Sequence, residues 1–471
     1  MVCLTVALGF MAVPMTVDAA SLYSYSNSSL SDSTHEVLEP MTVVHRSGGV
    51  DWYVSAYIKT DHPNDPSHNH RINASYNQNL QGSWTPVELP LYNPYDPPAV
   101  NFTQSQDPVL LSNTSDVSMH VVGITYSGSA QSTTNLCQSD NQVSLWTSYN
   151  GGQSWSYPVR IHRNGVGAGR FADKPAALVS KYSTRAGKVF IAFNDSFVGC
   201  TGSAGAGSII RFYSFDPSTG TASLLASPIS GYNVTNPVIY EDPSNGTLYL
   251  SAMKFDGTPG IVFFTSSNGG SSWTDTGAPG TITDSGLLPG GSLVCSNNNE
   301  CAGASFGMTG KFDPVYGSIV VVFHRRKDTN GAEVMFTRGL PGRWFTPANI
   351  SSNTTDYSWH PTLAFDGLGN ALVTYYDYDH GSSPTQLRYV VKSSQIAAGM
   401  MSASGETTLF DASQPSVPVP TYYVHIPGVG DLNQAALGEY QDVFFWNSNF
   451  YAVTVYMKNG VGNIYHLRIL P

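Results

Sequence analysis

Ser148-Tyr-Asn-Gly-Gly-Gln-Ser-Trp155 and Ser266-Ser-Asn-Gly-Gly-Ser-Ser-Trp273 are two copies of one pattern, S-x-N-G-G-x-S-W. A pattern repeated at a distance describes a whole architecture rather than one site. Each copy reads as a tight turn closing a hairpin. The asparagine bonds its own backbone and tolerates the left-handed region, and the glycines take positive φ without strain. Ser148 and Ser266 are placed to tie down turn amides, and the tryptophan returns across the hairpin to bury its ring. Two weaker echoes end at Trp84 and Trp344, so the four tryptophans are spaced by 71, 118 and 71 residues. The middle gap fits two units, and the chain reads as a repeat protein.

A second landmark carries the same period. An acidic, polar or proline-containing lead-in precedes a β-branched strand, a turn and an aromatic-rich strand. It recurs at Glu39-Pro40, Asp107-Pro108, Asp173-Lys-Pro175, Asn236-Pro237, Gly307-Met-Thr, His360-Pro361 and Glu439-Tyr440. Apart from the N-terminus and Ser394–Met401, no stretch shows a 3.6-residue apolar period. The fold expected is an all-β, single β-propeller of seven four-stranded antiparallel blades, or six if one lead-in is false. Residues 37–471 form the propeller, and residues 20–36 hold a strand near Leu22–Asn27 that completes the last blade and closes the ring.

With asparagine in place of aspartate, the two turns resemble the Asp-box repeats of the sialidase superfamily. On that resemblance Ser148, Asn150, Gly152 and Trp155, with Ser266, Asn268, Gly270 and Trp273, are hairpin staples on the face away from any ligand. The resemblance implies a secreted, glycan-recognising propeller, with exo-glycosidase action on terminal acidic sugars as one reading. The Arg-Ile-Pro of the enzymes is absent, since Arg71-Ile72 runs into Asn73.

Composition fits an extracellular β protein. Charged residues make up 12%, about half the usual share. A net charge of −11 without a basic run argues against nucleic acid. Residues 1–19 are apolar from Val2 to Val17 and end in Val17-Asp-Ala19, which reads as a signal peptide or a short anchor. A membrane would be met only through such an anchor, and the protein is expected to be secreted or at the cell surface. Nine sequons, at Asn27, Asn73, Asn101, Asn113, Asn194, Asn233, Asn245, Asn349 and Asn353, permit glycosylation. Cys3 falls in the leader. Of the three pairings open to the other four cysteines, the expected one joins Cys137 to Cys200, in loops of neighbouring blades that share one face, and Cys295 to Cys301, which bracket a short loop entering the fifth blade; zinc is the alternative, without C-x2-C spacing to support it.

Alternating strand direction gathers the lead-ins and the loops between second and third strands on one face. Asp107, Asp173, Lys174, His360, Glu439 and Tyr440 come from lead-ins, and Arg170 from a connection between blades. Arg71, Arg325, Arg326, Asp377 and Asp379 come from the loops. In the enzymatic reading Asp107 is the proton donor and Tyr440 the nucleophile, with Arg71, Arg170, Arg325, Arg326, His360 and Glu439 holding the substrate. Glu439 and Tyr440 are neighbours on one strand, so their side chains diverge. In the structural reading the same charges tether neighbouring blades. Asp61-His-Pro-Asn-Asp-Pro-Ser-His-Asn-His70 has the residue types to hold a divalent metal, or it is a solvated loop; no other cofactor is implied. Two functions follow: a secreted glycan-active enzyme whose partners are glycans or glycoproteins, or a non-catalytic surface, adhesion or assembly propeller capable of self-association.

Overall fold

The structure is a computed structural model. It describes residues 23–26, 35–61, 70–80, 82–95, 102–127, 139–196, 208–232, 234–254, 259–277, 282–283, 294–295, 300–302, 307–328, 331–351, 357–379, 388–411, 421–426, 430–435, 441–458 and 461–469. Among these residues every regular element is a strand. Ser394–Ile396, inside the stretch with an apparent helical period, ends a strand and leads into a turn.

Seven four-stranded antiparallel sheets form a seven-bladed β-propeller. Their innermost strands are His35–Ser47, Gln104–Asn113, Phe171–Val179, Val234–Glu241, Met308–Asp313, Tyr357–Phe365 and Asp442–Trp446, which define blades 1 to 7. In blades 1 to 6 the chain meanders outward through consecutive hairpins and returns to the axis for the next blade. Blade 7 has three strands from the C-terminal segment. Its outer strand is Tyr23–Ser26, antiparallel to Val461–Ile469 with Tyr23 opposite Arg468 and Ser26 opposite Tyr465.

Blades cohere because their middle strands are covered on both sides. All nine residues of Ser118–Tyr126 and all eight of Asn141–Ser148 in blade 2 are buried. Their apolar residues are interspersed with buried Ser118, His120, Thr125, Asn141, Gln142, Ser144, Thr147 and Ser148, so burial on both faces does not make them continuous apolar runs. The core is accordingly a set of interlayers. Val54, Ile72, Val121 and Trp146 lie between blades 1 and 2; Phe190, Phe212, Leu250 and Phe264 lie between blades 3 and 4.

The two repeated turns have one hydrogen-bond network. Ser148 Oγ donates to Asn150 Oδ1 (3.0 Å) and accepts from Gly152 N (3.0 Å), while Ser154 N and Asn150 Nδ2 close the loop. Ser266, Asn268, Gly270 and Ser272 repeat it within 0.1 Å. Each turn leans on the preceding blade. Trp273 meets Phe212 edge-on at 4.8 Å, Trp344 packs on Phe263 at 4.4 Å, Trp84 stacks on His466 at 4.8 Å, and Trp155 joins the layer of blades 1 and 2. Gly270 has φ +88°, and a Cβ there would lie 2.3 Å from Phe212 Cε1.

Blades 7 and 1 are sealed by buried polar groups. His466 Nε2 lies 3.0 Å from Thr42 Oγ1 and 3.3 Å from Ser55 Oγ, and Thr42 N donates to Asp442 Oδ2 at 3.1 Å. Burial lowers the His466 pKa to about 3, and it lowers that of His120, between Ser118 and Thr147, to about 4.

One sheet lies outside the blade pattern and was not foreseen from the sequence. Val294–Cys295 and Glu300–Ala302, between blades 4 and 5, join Thr421–Ile426 and Gly430–Ala435, between blades 6 and 7. Its central pairing is parallel, and Cys295 stands opposite Cys301 in its first hairpin.

Two stability measurements follow. Gly270→Ala should cost about 2–4 kcal/mol through left-handed strain and the clash with Phe212. Trp273→Ala, at a half-buried site, should cost about 2–3 kcal/mol. Chemical denaturation reads both; a Gly270→Ala protein as stable as wild type would misplace the turn against blade 3. In acid the sign comes from His120 and His466, whose folded pKa values lie below the unfolded 6.5. Their contribution is complete above pH 6.5 and is lost as the pH falls toward 4, at about 1.4 kcal/mol per unit of depression. Melting temperature should drop from pH 7 to 4.5, less steeply in His466→Gln.

Candidate functional site

The innermost strands share a local distortion. Glu39, Asp107, Lys174, Asn236 and His360, each immediately before a proline, have φ of 53°, 55°, 49°, 53° and 49°. The strand ladder slips at each, as between Gln106 and Val109 or Trp359 and Thr362. Proline has no N–H to continue the ladder, and it bars the preceding residue from the right-handed helical region. A bulge with a left-handed residue satisfies both constraints, at about 1–2 kcal/mol each. The bulged residues are buried and linked to adjacent blades. Lys174 Nζ lies 3.7 Å from Asp107 Oδ2 and Asn236 Nδ2 donates to Met308 O at 2.8 Å. His360 O accepts from Gln441 Nε2 at 2.5 Å, and His360 N donates to His324 Nδ1 at 3.3 Å. Blade 5 has Gly307 instead, where a Cβ would sit 1.5 Å from His324 Nδ1.

These strands enclose an axial cavity of about 330 Å³. Pro108, Pro175, Pro237 and Pro361 alternate around it with Asp107, Asn236, His360 and Gln441. Apolar walls with a few convergent polar groups are the usual character of a small-molecule site. Lys311 and Asp442 also line it. The Lys311 side chain is open to the cavity while protein surrounds it, and that burial lowers its pKa against the opposing effect of Asp442. Burial raises the Asp442 pKa, opposed by Lys311 and by bonds from Thr42 N and Val443 N.

The expected site residues divide into separate groups. Asp107 and His360 reach the cavity; Arg71, Arg170 and Arg325 do not line it. Arg71 is the second residue of the third strand of blade 1, His70–Asn77, close enough for its charge to act on Tyr126. Arg170 binds Asp195 at 3.3 Å, and Arg325 binds Glu333 through Nε (2.8 Å) and a terminal nitrogen (2.7 Å). Arg326 lies on the second strand of blade 5, opposite Ala332. Glu439, Tyr440, Cys137, Cys200, Asn27, Asn101, Asn233 and Asn353 lie outside the described residues, as does the loop 62–69 of the metal candidate. Among the described residues no three His, Cys, Asp or Glu side chains are grouped to hold a metal.

Sequence reading missed Asn236, Lys311, Gln441 and Asp442 as cavity residues, and Arg211 as a partner of Asp195. The signal was within reach, since Lys311 and Asp442 follow the blade 5 and blade 7 lead-ins by a few residues. A Tyr–Glu contact also went unread: Tyr375 Oη donates to Glu406 Oε2 at 2.5 Å, beside Lys392, which bridges Glu406 and Asp377. Tyr375 is fully buried between blades 5 and 6. Burial, reinforced by Glu406, pushes its phenol far above the usual range, so it stays protonated and is a poor nucleophile.

No family model and no curated protein matches the chain. Solved structures do. A Dyadobacter fermentans protein of unknown function is 13% identical, with TM-score 0.47, over 75% of this chain and 93% of its own. Trypanosoma rangeli sialidase in complex with the inhibitor DANA is 11% identical, with TM-score 0.46, over 94% of this chain and 57% of its own. A Hadza microbial sialidase is 15% identical, with TM-score 0.48, over 75% and 66%. The chain thus spans little more than half the length of the trypanosomal protein. The propeller rests on the chain's own strand pairing.

The Asp107–Lys174 pair offers a test of tether against catalytic acid. Lys174→Ala strands a buried carboxylate and should cost about 3 kcal/mol; Asp107→Asn with Lys174→Met should recover most of it. A double variant no more stable than Lys174→Ala in urea denaturation would refute the tether.

Proposed function

We propose that the chain is a secreted glycan-recognising propeller that binds a neutral, polyhydroxylated residue in its axial cavity and carries out no exo-sialidase chemistry. The carrying observation is the chemistry of the cavity mouth. Amides of Asn236 and Gln441, the His360 imidazole and a lysine-matched Asp107 surround it, and among the described residues no arginine lines it. Grip on a sugar carboxylate would need such a guanidinium. A hydroxylated ring suits amide and imidazole hydrogen bonding between proline walls, and 330 Å³ is near the lower end of small-molecule sites. Asp107, facing Lys174 at 3.7 Å, acts as a counter-ion in this reading.

Assembly or adhesion is the second reading, favoured by apolar turns on the opposite face. Val315, Tyr316, Leu368 and Met400 are half or more exposed, and the Tyr316 ring borders Gly369 and Gly399, so the blade 5 and blade 6 turns form one patch. Export would remove residues 1–19 and oxidise Cys137 with Cys200 and Cys295 with Cys301. Glycans would be carried at exposed Asn245 and Asn349, since Asn73, Asn113 and Asn194 are buried.

A glycan array at pH 3–8 with a fluorogenic sialoside assay tests the reading. Binding to a neutral glycan without sialoside hydrolysis is expected, with at least a tenfold loss in Lys311→Gln. Sialoside turnover, or no binding at all, would overturn it. Sedimentation of the same sample reports assembly, and peptide mapping without reduction should show both cysteine pairs.

A further inference from the structure

Lys311 stands on the innermost strand of blade 5 and Asp442 begins that of blade 7, and both line the axial cavity. Lys174, the buried lysine at the bulge of blade 3, has Asp107 Oδ2 3.7 Å from its Nζ. Among the described residues no such ion pair and no hydrogen bond engages the Lys311 amine. Asp442 acts on it only through space, since its Oδ2 accepts from Thr42 N at 3.1 Å and its Oδ1 from Val443 N at 2.8 Å. The gap between amine and carboxylate belongs to the cavity, where Met308, Pro237 and Pro361 supply apolar wall. Asp107 and His360 are the other titratable groups lining it among the described residues, and Asp107 faces Lys174. Burial lowers the Lys311 pKa; Asp442 opposes that and the positive charge of Lys181 reinforces it. More of the amine is therefore free at neutral pH than in an exposed lysine.

We propose that the Lys311 amine captures small neutral hydroxyaldehydes in the axial cavity as a reversible imine, with Asp442 carrying the proton. A desolvated lysine near another cation is the usual setting of an amine nucleophile. The nitrogen attacks the carbonyl carbon and a C–N bond forms. The carbonyl electron pair moves to oxygen, which takes the proton given up by nitrogen. The new hydroxyl then leaves as water with a proton from Asp442, and the remaining nitrogen proton returns to that carboxylate. One amine and one aldehyde become one imine and one water, with no oxidant or reductant. Burial raises the Asp442 pKa, which suits a group that must hold a proton and release it. Gln441 Nε2 is bonded to His360 O, but its buried Oε1 has no hydrogen-bond partner and is available to a ligand hydroxyl. A free hydroxyaldehyde need not come from a glycan, so this chemistry does not rest on the glycan reading.

Incubation of the full-length protein with glyceraldehyde and sodium cyanoborohydride, which reduces an imine to a stable amine, tests this by peptide mass mapping. Lys311 should be trapped at least tenfold faster than the surface lysines Lys181 and Lys188, and its rate should level off at lower pH than theirs. Lys311→Gln should remove the fast event and leave the slow surface modification. By electrostatics alone Asp442→Asn would free more of the amine and speed trapping. Slower trapping in that variant, measured against Lys188 in the same sample, marks the proton-carrying role; faster trapping would overturn the part given to Asp442. Lys311 modified no faster than Lys188 would overturn the proposal. Neutral-glycan binding without trapping overturns this inference alone, and trapping without glycan binding overturns the glycan reading alone.

Discussion

A blade of this propeller cannot stand alone, because its middle strands must be covered on both faces. In an open row of seven, the first and last blades would each leave one face wet. The ring removes that cost only if blades 7 and 1 meet, and several contacts converge there. Tyr23–Ser26 completes blade 7 from the other end of the chain, Trp84 stacks on His466, and Thr42 bonds both His466 and Asp442. Buried histidine and aspartate at the seam give it directional bonds that apolar contact alone would lack.

Closure also creates the cavity. Seven inner edges facing one axis leave a space, and the bulges decide what lines it. Asp107, Lys174 and Asn236, left-handed residues ahead of prolines, send their side chains to neighbouring blades, so the Asp107 and Lys174 charges are used in holding the ring. What remains for a ligand is amide, imidazole and the Lys311–Asp442 pair.

The fold was legible because turns and lead-ins are written locally. Ser148 to Trp155 forms its network within eight residues, and Glu39-Pro40 or His360-Pro361 implies a bulge from two. The seven-unit count and the closing strand followed from that short-range chemistry. The site was less legible, since its partners lie far apart in sequence. Thr42 and Asp442 are 400 residues apart, and Lys174 meets Asp107 across 67. Arg170 and Arg325 were expected to turn toward a ligand; each instead meets a carboxylate that no motif announces. The added sheet joins two connections more than a hundred residues apart, and neither segment indicates the other.

The closing strand also sets an order of events in the life of the chain. Tyr23–Ser26 is made about 435 residues before its partner Val461–Ile469. At about 5–20 residues per second, ribosomes need roughly 20–90 s to cover that interval. Throughout it the first blade lacks its seventh-blade neighbour, and the N-terminal strand has no native partner to pair with. The ring therefore stays open until Val461–Ile469 has been made. Once Val461–Ile469 is in place the ring is closed, and a force drawing Tyr23 away from Arg468 would peel the four paired positions apart one at a time from that end.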